Sequence, residues 1–328
     1  MSSSDTNVCK PNRREALFSG AGLVGIRAGL AVAGGVVSAR TLAAHDRGNC
    51  DRDLPVSQIN AVFGVDGMLE PGGVLVFDFD RSDQTWTIFG VQVEPDWGFD
   101  TEISFQPLCD SKALVKWELC LLDREVNPVW NALRAENLQP NVSRLNALHN
   151  HFIEITPEAK FMHGTGIGDP VQIAKALYEV LKNHSGQPFE SSPPEPTGLP
   201  NDQITSIIGG TSTISSHVLA VMVDRSDTFE ELGVRLEPAS QLESNFHFQK
   251  TGTNQAIVDA EFVVRPDELD RVAEYISAHR FLITAAHNHE LFIRPRLYYL
   301  HSGATGDPIT LARVIRAALE LTDSKFAS

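Results

Sequence analysis

The chain has 328 residues, 27 Lys+Arg against 42 Asp+Glu, 42% hydrophobic and 21% charged residues, and 4 Cys. That composition excludes a disordered, collagen-like or disulfide-stapled chain and predicts one or two globular domains with real cores. A formal net charge of −15, with no Lys/Arg run outside the first 40 residues, repels a phosphate backbone and predicts no nucleic-acid partner.

Residues 1–43 differ from the rest. A polar, basic start (Lys10, Arg13, Arg14) leads into a Gly/Ala-rich stretch from Ala16 to Ala39 that ends in small residues. This is the layout of an export signal, with cleavage expected after Ala39 or Ala43, and the Arg13-Arg14 pair resembles a twin-arginine signal. Arg27 splits the stretch into uncharged runs of 11 and 12 residues, both short of the roughly 20 that cross a bilayer, so no stable span is expected once the signal is removed. Cleavage after Ala43 would remove five positive and two negative residues and leave a net charge of −18. The expected location is periplasmic or extracellular. The twin-arginine resemblance implies export in the folded state, often with a metal or cofactor already loaded. Of the cysteines left, Cys109 and Cys120 are close enough in sequence to pair within one hairpin.

The remainder is written twice. LPVSQINAVFG (54–64) matches LPNDQITSIIG (199–209), DRSD (80–83) matches DRSD (224–227), and VQVEP (91–95) matches VRLEP (234–238). Further on, SFQ (104–106) matches HFQ (247–249), ALHNH (147–151) matches AAHNH (285–289), and MHGTGIGDP (162–170) matches LHSGATGDP (300–308). The order is preserved at offsets of 138 to 145 residues, which is a duplicated domain and not a solenoid repeat. Repeat 1 is placed at 51–184 and repeat 2 at 199–322, joined by the Pro/Ser/Gly-rich segment 185–198, which reads as a linker.

Within each copy the local signals run in the same order. A short helix after Leu54-Pro55 carries Ile59, Val62 and Phe63 on one side. VLVFDF (74–79) reads as a strand, DRSD as a turn, and TWTIFGVQV (85–93) as the returning arm of a hairpin. ALVKWELCLL (113–122) is a strand, and residues 125–137 carry Val126, Val129, Trp130 and Leu133 at helical spacing. Two strands and a last helix follow, that helix announced by Asp169-Pro170 and Asp307-Pro308 as cap and first position. The predicted class is α+β: two tandem repeats of an antiparallel sheet with helices packed on one face, related by a pseudo-twofold axis.

Histidines recur at matching places. His149 and His151 are two apart on a strand and so project together, as do His287 and His289, while His163 and His301 lie on the next strand. With a turn at Pro157, residues 151 and 163 would face each other across the hairpin. Three imidazoles in each repeat then form a ligand set for copper or zinc with room for water or a small molecule. A metal-free polar or catalytic pocket and purely structural histidines are the alternatives. Glu118 and Glu261 occupy matching mid-strand positions, as ligand, tautomer-fixing partner or general base, or else on a solvated face. Asn150 and Asn288 point away from their neighbours and are expected to tie down the hairpin backbone.

On these residues the chain resembles the LppY/LpqO group of exported bacterial proteins. The resemblance rests on EVNPVWNALR (125–134), ALHNH (147–151), FMH (161–163), TAAHNH (284–289) and RPRLYYLH (294–301), and spans essentially 51–322. It implies a duplicated exported domain and names no reaction. Where that group has an aromatic pair after the last His, this chain has Gly164-Thr165-Gly166 and Ser302-Gly303-Ala304. Two functions follow: an exported module binding copper or zinc, or a small ligand through it, or a metal-dependent hydrolase or oxidase using the same residues.

Overall fold

The computed structural model describes residues 52–135 and 144–327; the predicted export signal, 1–43, lies outside the described residues. Repeat 1 runs α1 (Val56–Phe63), β1 (Met68–Glu70), β2 (Val74–Asp80), β3 (Trp86–Ile88), β4 (Val91–Val93), β5 (Asp100–Pro107), β6 (Ala113–Leu122), α2 (Asp123–Ala135), β7 (Arg144–His149), β8 (Ile155–Thr156), β9 (Ala159–Gly168) and α3 (Pro170–His184). Repeat 2 runs α4 (Asn201–Ile208), β10 (Thr211–Ser215), β11 (Val218–Val223), β12 (Glu230–Glu231), β13 (Val234–Arg235), β14 (Ser244–Gly252), β15 (Gln255–Val264), α5 (Pro266–Ala278), β16 (Leu282–His287), β17 (Tyr298–Gly306) and α6 (Pro308–Leu319). Each repeat builds one six-stranded antiparallel sheet, ordered β1-β2-β5-β6-β9-β7 and β10-β11-β14-β15-β17-β16. The class is α+β, as the duplicated pattern predicts.

Helices cover one face of each sheet. In repeat 1, Ile59 and Phe63 of α1, Val129 and Leu133 of α2, and Ile173, Leu177 and Leu181 of α3 bury against Phe77, Phe105, Val115 and Leu119 of the sheet. Ile204, Val272, Ile315 and Leu319 do the same in repeat 2. Each such side chain withdrawn from water stabilises by about 1.5–3 kcal/mol. The last helices begin as their Asp-Pro signatures predict. Asp169 accepts from the backbone N–H groups of Val171 and Gln172, and Asp307 accepts from that of Thr310.

The two DRSD motifs do more than turn the chain. Fully buried Arg81 donates to the Cys120 carbonyl and to Glu125. Arg225 makes the same bonds to the Val263 carbonyl and Glu268, so each arginine ties a strand end to the helix that follows. The segment 85–93 departs from expectation. β2 pairs with β1 and β5, while β3 and β4 make their own hairpin and join β8. Phe89 and Gly90 both have positive φ, 49° and 76°, as a tight two-residue hairpin turn requires. The Cys109–Cys120 pairing is also corrected: Cys109 is disulfide-bonded, whereas Cys120 is a free, buried thiol.

The uncovered sheet faces meet each other. Gln106 of repeat 1 accepts from the Glu237 backbone N–H at 2.9 Å and donates to the Arg235 carbonyl at 2.7 Å. Its counterpart Gln249 accepts from Glu94 N–H at 2.8 Å and donates to the Gln92 carbonyl at 3.2 Å. Reciprocal bonds between equivalent residues are the mark of a twofold relation. Two apolar clusters, one around Trp97, Phe152 and Ile257, the other around Leu114, Phe229 and Tyr299, flank the centre of this interface. The linker is pinned rather than loose, with Phe189 packed on repeat 1 and the Glu190 carbonyl accepting from Asp80 N–H.

Candidate metal centre

All six predicted histidines meet at the centre of that interface, in one cluster and not in one site per repeat. His149 stacks on His287 with ring centroids 3.5 Å apart, His151 on His301 at 4.1 Å, and His163 on His289 at 3.8 Å. The last two pairs exchange under the twofold operation, and the first lies on its axis. Within the repeats the spacings agree: His149–His151 and His287–His289 are both 5.1 Å, and His149–His163 and His287–His301 are 4.7 and 5.0 Å.

The local route to this cluster differs from the expected hairpin. His163 pairs with Ala147, and His149 with Phe161, so His151 does not face His163 across the strands. The physical reason is that 150–158 is not a simple turn: it leaves the sheet so that β8 can join β3. His151 therefore sits beyond the end of β7, and its ring stacks on Phe161 at 3.6 Å. In repeat 2, His289 stacks on Tyr299 in the same way at 3.4 Å. The two asparagines hold these excursions, Asn150 donating to the Phe152 and Thr284 carbonyls and Asn288 to that of Glu290.

The electrostatics favour neutral rings. Burial first, and then the mutual repulsion of neighbouring imidazoles, lowers His151, His163, His287 and His289 far below the ordinary histidine range, and His149 to about 3. Neutral imidazole presents a lone pair. Yet both ring nitrogens of His149, His163 and His301, Nε2 of His151, and Nδ1 of His287 and His289 are buried without a hydrogen-bond partner. Leaving a buried polar atom unpaired costs about 1–3 kcal/mol, so this many at one point marks a place built for something else. His149, His151, His163, His287 and His289 each offer a donor within 4.8 Å of the others, as separately do Glu261, His289 and His301. The Nε2 atoms of His287 and His289 are 3.1 Å apart. Two nitrogens bound at about 2.0–2.1 Å to one ion stand about 2.8–3.4 Å apart for right-angle to tetrahedral geometry, so the donors fit copper or zinc.

Both predicted carboxylates reach the cluster, which removes the solvated-face alternative. Glu118 lies 3.5 Å from His151 Nδ1 and 3.6 Å from His163 Nδ1. Glu261 lies 3.1 Å from His301 Nε2, without hydrogen-bond alignment. Burial, followed by the charge of Glu261, holds Glu118 well above the usual carboxylate range. The strand register places these groups in matching rows across the sheets: Asp78, Glu102, Glu118, His163, Ala147 in repeat 1, and Met222, Asn245, Glu261, His301, Ala285 in repeat 2.

One polar group beside the cluster escapes the repeat logic. Buried Lys116 donates to buried Glu290 and, at 2.8 Å, to the Ser240 carbonyl, and the Tyr299 hydroxyl donates to the Gln241 carbonyl at 2.7 Å with Glu290 3.3 Å away. Lys116 aligns with Asp259, Glu290 with Phe152 and Tyr299 with Phe161. The mismatch of charge at aligned positions is the only signal the sequence holds for this group.

In comparisons with known proteins, residues 57–183 and again 202–321 match the family model described as Domain of Unknown Function (DUF1259). No curated protein and no solved structure matches the chain.

Proposed function

The chain belongs to the DUF1259 family and carries its domain twice, and from this and the histidine geometry we propose that it is an exported protein of the LppY/LpqO group that binds copper or zinc. The observation that carries the reading is the convergence of buried, unpartnered ring nitrogens from both repeats within reach of a single ion. His149 and His287 on the axis would hold the metal jointly, so binding would lock one repeat to the other. A bound ion satisfies lone pairs that the protein leaves bare, and its affinity for the folded chain adds directly to stability. Export rests on the basic, Gly/Ala-rich start of the chain. No helix among the described residues is long and apolar enough to cross a membrane.

A second reading is favoured by Glu118, whose carboxylate stands within 3.6 Å of two rings. A metal there would polarise water or handle oxygen, and Glu118 would take or hold a proton beside it, as a hydrolase or oxidase requires. Glu261 is its counterpart.

The test is metal analysis of the full chain purified without an affinity tag. Near-stoichiometric copper or zinc is expected, with its removal by chelator lowering the unfolding temperature. His149→Ala and His287→Ala should each remove the ion held among the five imidazoles. Metal-free protein that takes up neither ion on titration overturns the proposal. Turnover of ester, amide or phenol substrates that is lost in Glu118→Gln would select the enzymatic reading.

A further inference from the structure

Of the six clustered histidines, His301 is the one outside the five-ring group, and its partners are Glu261 and His289. Glu118 differs, for it stands between His151 and His163, two rings that both belong to the five. The two donor groups together offer seven residues, sharing only His289. A first-row ion accepts about four to six donors, and bonds of about 2.0–2.1 Å confine them to roughly 4.2 Å of one another. One ion cannot use them all.

We propose that the cluster takes two cations, the first among the five imidazoles and the second at Glu261, His289 and His301. The inference rests on the reading of the cluster as a metal site and adds the number and chemical class of its ions. The two sites differ in kind. The first is all nitrogen, suited to copper or zinc; the second is two imidazoles and a carboxylate, the set that takes Zn²⁺ or Fe²⁺ and leaves positions open to water or substrate. His301 is 1% exposed and both its ring nitrogens lack partners, so a lone pair is free beside Glu261. His289 supplies two donors: Nε2 faces His287 Nε2 at 3.1 Å, and Nδ1 is buried without a partner. One ring serves both groups as an imidazolate, its remaining N–H proton passing to solvent when the second ion binds. The Glu261 side chain is 13% exposed, and His149 and His287 of the first group are likewise half-buried, so both ions would be reachable from solvent.

The experiment counts Zn²⁺ bound per full-length, untagged chain by equilibrium dialysis, with Co²⁺ absorption bands reporting each site's ligands. Two equivalents are expected. Glu261→Gln, which keeps the side chain's shape, should bind one and lose one of two Co²⁺ band sets. Glu261→Asp, a second variant whose shorter side chain pulls the carboxylate away, should do the same. His149→Ala should keep the band set that Glu261→Gln loses. Thermal unfolding of each variant checks that it folds. One equivalent in the parent chain, or two that survive both Glu261 variants, overturns the second site and leaves the first standing. None in the parent chain overturns both.

Discussion

The inner faces of the two repeats share a skeleton and differ in what they hang on it. Arg81 and Arg225, Gln106 and Gln249, Glu118 and Glu261, and the six histidines recur position for position. Around them the copies diverge. The row of repeat 1 carries acids at Asp78 and Glu102 where repeat 2 carries Met222 and Asn245. Lys116 faces Glu290 across the interface, while their counterparts are Asp259 and Phe152. A symmetric homodimer could not place a cation on one side of its axis alone; fusing two copies in one chain lets each half drift separately. The shared residues hold the halves together and converge on the donors, and the divergent ones make the two sides of the cluster chemically unequal.

The sharpest way to break that inequality is at Lys116. Its ammonium and the Glu290 carboxylate are both buried. Removing one partner of a buried pair leaves an uncompensated charge, at about 3–5 kcal/mol. Lys116→Met is therefore expected to lower stability by that amount in urea unfolding, and Lys116→Met with Glu290→Gln to recover most of it. A single variant within 1 kcal/mol of the parent, on the order of an exposed pair, would show that the pair is not desolvated.

A smaller difference separates two glycines near the last histidines that are not counterparts: Gly164, which aligns with Ser302, and Gly303, which aligns with Thr165 and meets Phe89 of the other repeat. A Cβ at Gly164 would fall 2.2 Å from the Trp117 ring, against 3.0 Å from the edge of Phe89 at Gly303. Trp117 is held in the helix-side core, which cannot yield without strain. Gly164→Ala should cost about 2–3 kcal/mol and Gly303→Ala less than about 1. Equal costs in thermal unfolding would mean that the core around Trp117 yields as readily as the Phe89 contact between the repeats.

Much of this was legible in the residues, for identifiable reasons. Duplication, class and the last helices follow from local signals, such as Asp169-Pro170, that no tertiary contact has to override. Period-two alternation places Glu118 and His163 on the face that proves to be the inner one. What alternation cannot reveal is which residues meet across the interface. The stacking of His149 on His287 depends on the packing of two sheets, and sequence spacing carries no trace of it. Pro157 suggests a plain turn that would set His151 opposite His163, whereas residues 155–156 leave to extend the β3–β4 hairpin. Arg81 reads as part of a polar turn, and only burial against Glu125 shows that it is structural.

The acidic row of repeat 1 provides the finest test, because its effect depends on pH. Burial, and after it the charge of Asp100, pushes Glu102 up to about 8. The folded chain then binds this proton more tightly than the unfolded chain, whose carboxyl titrates near about 4.3. Stability from this group is fully present below that lower value and is lost as pH rises through about 8. Glu102→Gln keeps the shape and removes the titration. In metal-free protein the variant should match the parent near pH 4 and exceed it by about 1–2 kcal/mol at pH 9, since Glu102 is only half-buried and solvent screens part of the effect. Asn245→Glu, which writes the acid of repeat 1 into repeat 2, should do the reverse and weaken the chain at pH 9 more than at pH 4. Urea midpoints at the two pH values decide it: a Glu102→Gln gain that is the same at both would mean that the carboxylate is destabilising through its packing, and the charge difference between the repeats would carry no energetic weight at that position.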